Sequence, residues 1–238
     1  MEKDNEFTIP QPSVTLKSYY ERLSNYEKEK RTINGHEFLF VTEQTRKSSK
    51  HACTVNDLEK IIDNIPQSDY GKLRLIVLRQ PKKKEETLSP VWGRLVFTYS
   101  FEESYSPAII IEAIDFSQSF KWAKGLSTNN RKELERLRGD GHLIIEDRKY
   151  FTAEYKIENV RNTQLYRTLL HEFGHYVHYF EIVEQPEKEN EDFEEREKRE
   201  NQYFKLPKAD REKFAHSYAE RLKITLTEKG IIPFERTE

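Results

Sequence analysis

The segment from Asn162 to Glu181 constrains the fold more than any other part of the 238-residue chain. It contains no proline, and its apolar residues recur at the spacing of one helix face. This stripe consists of Leu165, Leu169, Phe173 and Tyr176, and it is broadened by Leu170, Val177 and Phe180. The pattern predicts a helix that is buried on most sides. His171 and His175 fall on a face beside the stripe, as expected for side chains at the floor of a cleft.

The same segment contains the motif His171-Glu172-Phe173-Gly174-His175, which has the form HExxH. Histidines four positions apart lie one turn apart on a helix, so both imidazoles can bind one metal ion. The glutamate between them then lies close enough to take a proton from a zinc-bound water. The alternative is an amphipathic helix whose two histidines merely pack or face solvent. The helical context favours the metal site.

Composition indicates one substantial domain with helical additions, because no linker rich in Pro, Gly or Ser divides the chain. Hydrophobic residues make up 35% and charged residues 34%, so 14 Phe and 13 Tyr must supply much of the core. The net charge of −2 disfavours nucleic acid and anionic membranes as partners. The basic run from Gln80 to Lys84 is interpreted as a solvated loop, with a phosphate or partner contact as the alternative.

The compartment follows from cysteine usage and from the absence of long apolar runs. Cys53 is the single cysteine, so it cannot form an intramolecular disulfide. The first six residues have no signal-like apolar region, and no stretch approaches transmembrane length. We expect a cytoplasmic protein without a membrane partner, while secretion without a signal peptide stays open.

The N-terminal part is predicted to be mainly helical and to have a role that the sequence does not reveal. Residues 1–12 are expected to form a flexible tail, and residues 13–70 a helical region. A first helix is predicted from Ser13 to Lys30. Asn34-Gly35 is a turn signal before a strand from His36 to Val41. Thr54 and Asp57 have the spacing of a capping box and open a second helix that Pro66 ends.

Residues 71–238 are predicted to form the domain that carries the motif. Runs rich in Val, Ile, Leu, Phe and Tyr predict the strands Lys72–Arg79, Val91–Ser100, Ala108–Ile114, His142–Glu146 and Tyr150–Lys156. Helices are predicted at Lys132–Arg138 and at Pro207–Lys229, the second with Gly230 as its C-terminal cap. Residues 184–205 are dense in Glu, Lys and Arg, and we interpret them as a solvated helix or loop, or as a charged lid or docking arm.

A catalytic zinc ion needs a third protein ligand, and the sequence leaves its identity open. The metzincin continuation HExxHxxGxxH is absent, because His178 and Glu181 stand at its glycine and third-histidine positions. His178 lies one turn beyond the metal on a straight helix, so we expect it to orient other groups, face substrate or be exposed, with a role as metal ligand as the alternative. Glu212, His216 and Glu220 share one face of the last helix, where one can complete the site and another can orient a histidine.

The segments Thr168–His175 and Glu212–His216 together resemble the zincin metallopeptidases of gluzincin type. In that group a glutamate on a later helix, often just before a Phe-Ala pair, supplies the third ligand. The resemblance implies that Glu212 is the ligand and that His216 stands where such enzymes often carry an acidic residue. Because a histidine departs from that pattern, His216 is the alternative ligand. The resemblance covers residues from about 140 to 225, and residues 1–130 resemble no known family.

The resemblance implies a zincin-like fold of the α+β class, in which a mixed twisted sheet packs on the motif helix and further helices lie at the N- and C-terminal ends. It implies one catalytic Zn²⁺ and a peptide or protein substrate bound by an edge strand, here His142–Glu146 or Tyr150–Lys156. Glu172 is then the general base. Weaker candidates for stabilising transition-state charge are His216, His178 and Tyr218.

Two other functions belong to different classes. A zincin-like domain can bind a partner or sense a signal without catalysis, although a purely structural site has no use for Glu172. A nucleic-acid-binding regulator finds no support in the charge balance. The oligomeric state is not predicted.

Overall fold

Helices pack on one face of a mixed five-stranded sheet in the computed structural model, which describes residues 21–88, 91–188 and 191–237. The strands are β1 (Tyr26–Ile33), β2 (His36–Glu43), β3 (Ser49–Lys50), β4 (Leu75–Arg79), β5 (Gly93–Phe101), β6 (Ser104–Glu112), β7 (Ile114–Asp115), β8 (Ser119–Ala123), β9 (Ile145–Glu146) and β10 (Tyr150–Glu154). The helices are α1 (Val55–Ile62), α2 (Lys83–Leu88), α3 (Thr128–Gly139), α4 (Ile157–Thr163), α5 (Leu170–Tyr179), α6 (Phe193–Lys205) and α7 (Lys208–Glu228). The predicted α+β class and the mixed sheet are confirmed.

The main sheet has the strand order β1-β2-β4-β6-β5. Strands β2, β4 and β6 run parallel to one another, while β1 and β5 pair antiparallel at the two edges. Strands β8, β10 and β9 form a separate three-stranded sheet, and β3 pairs with β7. Among the described residues, one edge of strand β5 therefore pairs with no other strand.

The central strands are buried on both faces because their side chains alternate between two cores. In β4, Ile76 and Leu78 face the core shared with the helices, whereas Leu75 and Val77 face a smaller cluster on the opposite side. The main core joins these strands to apolar residues of α1, α5 and α7. This packing holds the motif helix against the sheet.

The motif helix is one continuous helical run from Ile157 to Glu184 that contains two π-helical segments. The first segment, Gln164–Leu169, directly precedes the HExxH motif. π-Helical turns frequently occur at functional sites. The fully buried side-chain amide of Gln164 donates to the carbonyls of Trp92 (3.1 Å) and Glu112 (2.7 Å). These bonds fasten the helix to the start of β5 and the end of β6.

A buried ion pair fixes the beginning of this helical run. The Thr54–Asp57 capping box is present as predicted, with both cap bonds at 3.1 Å. The same Asp57 carboxylate accepts two hydrogen bonds from the guanidinium of Arg161 in α4, at 2.9 and 2.8 Å. Burial of both partners makes the pair geometrically demanding, and it ties α1 to α4.

Gly174, inside the HExxH motif, permits a close crossing of α5 and α7. A Cβ atom at this position would lie 2.8 Å from the Ala215 carbonyl oxygen and 2.9 Å from the Ala215 Cα. Those contacts involve backbone, so they cannot be relieved by rotating a side chain. The crossing places Glu212 and His216, on either side of Ala215 in the sequence, beside the motif histidines.

Replacing Gly174 with alanine is therefore expected to lower the free energy of unfolding by about 1–3 kcal/mol, the usual cost of overpacking. Urea unfolding measures this change. The matched control is Gly139→Ala, because a Cβ added at the end of α3 meets nothing within 4 Å. That control is expected to be neutral or stabilising by up to about 1 kcal/mol. Equal effects of the two substitutions would contradict a tight crossing at Gly174.

The predicted helix from Ser13 to Lys30 is wrong for residues 26–30, which belong to β1; residues 1–20 lie outside the described ranges. Asn34 and Gly35 have φ values of 51° and 78°, which a two-residue hairpin turn with positive φ requires. All eight residues of β1 pair with β2. Long-range pairing overrides the local helical pattern, and the charged side chains suit an exposed edge strand.

Other elements differ from the predictions in extent. Strands β2 and β4 pair directly, so the predicted boundary between residues 70 and 71 falls inside one sheet. Within the charged region 184–205, helix α6 is anchored by the fully buried Tyr203 rather than forming a loop. The basic run at Gln80–Lys84 leads into the short helix α2. The other predicted strands and the two later helices are present, although β9 contains only Ile145–Glu146.

None of the helices in the described ranges has the length and apolar character needed to cross a membrane.

Candidate metal centre

Three side-chain atoms from α5 and α7 converge at one point. The Nε2 atoms of His171 and His175 lie 3.1 Å apart. The Glu212 Oε2 atom lies 3.3 Å from His171 Nε2 and 3.7 Å from His175 Nε2. The structure thus brings together the three residues that the sequence analysis favoured as ligands.

These separations fit a tetrahedral zinc site. Bonds of about 2.0–2.1 Å to nitrogen and oxygen ligands place neighbouring ligand atoms about 3.3–3.4 Å apart. The three observed separations bracket that value. Two imidazoles and one carboxylate are also an established donor set for catalytic zinc. The residues present therefore fit the metal, although their ligand roles stay a prediction.

Both histidines are held in the neutral form that binds metals. Burial lowers the pKa of His171 to about 3, with further lowering by the nearby His175 and His216. Burial also lowers the pKa of His175, while the Glu212 carboxylate opposes that shift. The His171 and His175 side chains are 15% and 17% exposed, compared with 37% for Glu212. The cluster therefore lies at a partly covered cleft floor.

Glu172 lies beside this cluster and is oriented by the sheet. The backbone N–H of Leu95 in β5 donates to Glu172 Oε2 at 2.8 Å. Burial raises the pKa of Glu172 to about 7; the Leu95 hydrogen bond opposes the shift, and the Glu212 carboxylate adds to it. A bound cation would favour the ionised form. Its carboxyl group is thus held in place by the Leu95 backbone, beside the proposed ligand atoms.

His216 lies next to the cluster but has a different partner. Its ring centroid is 4.4 Å from that of His171, and it forms a group within 4.8 Å with the ligand atoms of His171 and Glu212. A guanidinium N–H of Arg136 in α3 donates to His216 Nε2 at 3.3 Å. That bond engages the nitrogen lone pair, and Glu212 Oε2 is the atom that approaches both motif histidines. This geometry favours Glu212 over His216 as the third ligand.

The other candidate residues lie away from the convergence point. His178 stacks on Phe214 at 4.2 Å between ring centroids, one turn beyond His175. The Tyr218 hydroxyl donates to Asp69 Oδ2 at 2.8 Å. Neither residue lines the cleft over the motif, and Glu220 is exposed. These positions do not support His178 or Tyr218 as donors to a reacting group.

An ion-pair network supports the wall of the site next to His216. Arg167, one turn before His171, donates to the Glu133 carboxylate (2.9 and 3.0 Å) and to Asp140 Oδ2 (2.8 Å). Arg136 lies 3.6 Å from Glu133. The network holds α3 beside the motif helix and positions the Arg136 guanidinium over His216.

A cleft of about 630 Å³ opens above the cluster. Its lining includes Val91–Gly93 at the start of β5, Ser119–Trp122 of β8 and part of α3. The edge strand next to Glu172 is therefore β5. The predicted substrate-binding strands are instead β9 and β10 of the separate sheet, and β10 is its central strand. Tyr150–Lys156 therefore contributes no sheet edge, whereas β9, within His142–Glu146, is an edge strand, and substrate binding by it stays a prediction.

Sequence reasoning did not identify Leu95, Arg136 or Trp92 as residues of the site. Leu95 contributes its backbone N–H, so its residue type gives no indication of the contact with Glu172. Arg136 stands on a short helix 80 residues before its partner His216, so local periodicity carried no sign of the contact. Trp92 lies within the predicted strand Val91–Ser100 and could have been noticed as one of two tryptophans.

Comparison of the chain with protein-family models, with curated proteins and with solved structures finds no match.

Proposed function

We propose that this protein is a zinc-dependent hydrolase of zincin-like fold, and specifically a metallopeptidase. The observation that carries the proposal is the convergence of His171 Nε2, His175 Nε2 and Glu212 Oε2 with Glu172 beside them. The resemblance of the motif and of the Glu212 segment to gluzincins supports the same conclusion. The site lies in an open cleft next to an edge strand, as access for a polymeric substrate requires.

His171, His175 and Glu212 would hold the zinc ion. When bound there, zinc lowers the pKa of a water ligand and polarises a carbonyl oxygen. Glu172 takes the proton from the attacking water and delivers it to the leaving amine. The Leu95 N–H binds one carboxylate oxygen of Glu172, which lines the cleft, and the other oxygen is the proposed proton acceptor.

Strand β5 is the proposed main-chain partner of the substrate. The Leu95 N–H bonds to Glu172 and therefore points away from β6. By the two-residue period of a strand, the main-chain groups of Gly93 point to the same side. An extended peptide added along this edge would pass directly over the Glu172 carboxylate.

Arg136 and His216 are the proposed donors to developing negative charge. The Arg136 side chain is 40% exposed in the cleft, and its bond to His216 uses only part of its donor capacity. Both groups lie beside His171, where a substrate carbonyl oxygen would gain charge. Fixed donors of this kind stabilise transition states without reorganising.

The activity is tested with purified protein, reduced and unfolded casein, and a metal chelator. We expect zinc-dependent cleavage that the chelator abolishes and added zinc restores. The rival is a zincin-like binding protein, which would retain zinc but cleave no substrate. Zinc-loaded protein that leaves a broad proteome-derived peptide mixture intact would favour the rival over the peptidase.

A further inference from the structure

Part of the cleft lining is rich in aromatic side chains. Four half-buried rings line it: Trp92, Phe120, Trp122 and Tyr155. Phe120 stacks on Trp122 with ring centroids 4.9 Å apart and lies 4.3 Å from Tyr155. Trp92 meets Phe120 edge-on at 5.3 Å. The rings support one another and still expose part of their surface to the cleft.

The same part of the lining includes a second strand edge that no described strand pairs with. Strand β8 is at the edge of the three-stranded sheet. Four consecutive residues of β8, Ser119–Trp122, line the cleft. Side chains of consecutive strand residues point to opposite faces, so a strand lines a cavity continuously only when its edge faces the cavity. Residues at the start of β5 and of β8 thus both border the cleft in which we place an extended peptide.

The rings are close to the proposed reaction site along the chain. Trp92 precedes Leu95 by three residues, and Leu95 holds Glu172. Three extended residues span at most about 10 Å. A peptide paired with β5 would thus reach the rings within about three residues of the bond over Glu172.

We propose that Trp92, Phe120, Trp122 and Tyr155 form an aromatic subsite that binds an aromatic side chain of an extended peptide, within about three residues of the scissile bond. This inference rests on the proposed peptidase function. Ring-on-ring packing gives the specificity, because an aromatic side chain buries a large area and gains offset or edge-on contacts that an aliphatic side chain lacks.

The chain provides its own probe for this subsite. Its two tryptophans are Trp92 and Trp122, and both line the cleft. Intrinsic tryptophan fluorescence therefore reports on the cleft alone. Zinc-loaded Glu172→Gln protein is titrated with an acetylated, amidated alanine hexapeptide that carries phenylalanine at its third position, and with the all-alanine peptide.

We expect the phenylalanine peptide to bind at least about tenfold more tightly. Phe120→Ala should remove that preference, while Tyr105→Ala, an exposed aromatic position on β6 outside the cleft, should keep it. The variants Trp92→Phe and Trp122→Phe each keep a single tryptophan, so they show at which of the two residues the fluorescence changes. They do so even if Phe120→Ala does not fold. Equal affinity for the two peptides, or a preference unchanged by a folded Phe120→Ala variant, would overturn the subsite.

The two proposals fail in different ways. Zinc-dependent hydrolysis by wild-type protein without aromatic preference refutes the subsite and leaves the peptidase intact. Aromatic preference in a protein that binds no zinc and cleaves no peptide supports the subsite and refutes the peptidase.

Discussion

Glu172→Gln protein is expected to lose at least about 100-fold in peptide hydrolysis while it binds zinc as tightly as the wild type. Glutamine has nearly the same shape and keeps an oxygen that accepts the Leu95 N–H, so the local structure should persist. The amide cannot accept a proton from water at neutral pH. The loss should therefore appear in kcat, as measured with a fluorogenic peptide identified from cleavage of a peptide mixture.

Glu181→Gln is the matched control for this substitution. Glu181 is exposed and lies further along the same helical run, outside the cleft. It is expected to leave both zinc content and kcat unchanged. Full activity of Glu172→Gln would exclude Glu172 as the general base. Loss of zinc from that variant would contradict the expected metal retention, and its inactivity would then say nothing about proton transfer.

Glu212→Ala protein is expected to lose at least about 100-fold in zinc affinity, more than the about 10–100-fold lost with residues that only orient a ligand. Glu212 Oε2 is the donor that lies near both motif histidines, so its removal leaves two ligands. Competition with a chromogenic zinc chelator measures the affinity. Activity should fall in parallel, because the metal site and the reaction site coincide.

His216→Ala separates the two candidates for the third ligand. Because His216 Nε2 accepts from Arg136, we expect this variant to keep zinc within about tenfold and to lose activity through the lost donor. Glu220→Ala, an exposed change on the same face of α7, should alter neither property. Zinc retained in Glu212→Ala and lost in His216→Ala would make the site a three-histidine centre.

The parts of the fold that depend on local pattern could be predicted from the sequence. The motif helix and α7 carry apolar stripes at helical spacing, and their residue faces follow directly from that period. The Thr54–Asp57 cap was recognisable because its two bonds join residues three apart. Gly174 stood out in the motif, but its role needed the position of Ala215 on the other helix.

The parts that depend on long-range pairing could not be predicted in the same way. Strand β1 has a helix-like charged sequence, and only its partner β2 makes it a strand. The bond between Leu95 and Glu172 joins residues 77 apart, and it identifies β5 as the edge next to the site. The walls of the cleft come from segments separated by tens of residues, so no local signal joins Arg136 to His216 or Trp92 to Phe120.

The most direct test of the metal centre is anomalous diffraction at the zinc absorption edge from crystals grown with zinc. A single strong peak is expected in the cleft, about 2.0–2.2 Å from His171 Nε2, His175 Nε2 and Glu212 Oε2. No peak at these three atoms at full zinc loading, or a peak bound by His216 without Glu212, would contradict the proposed centre.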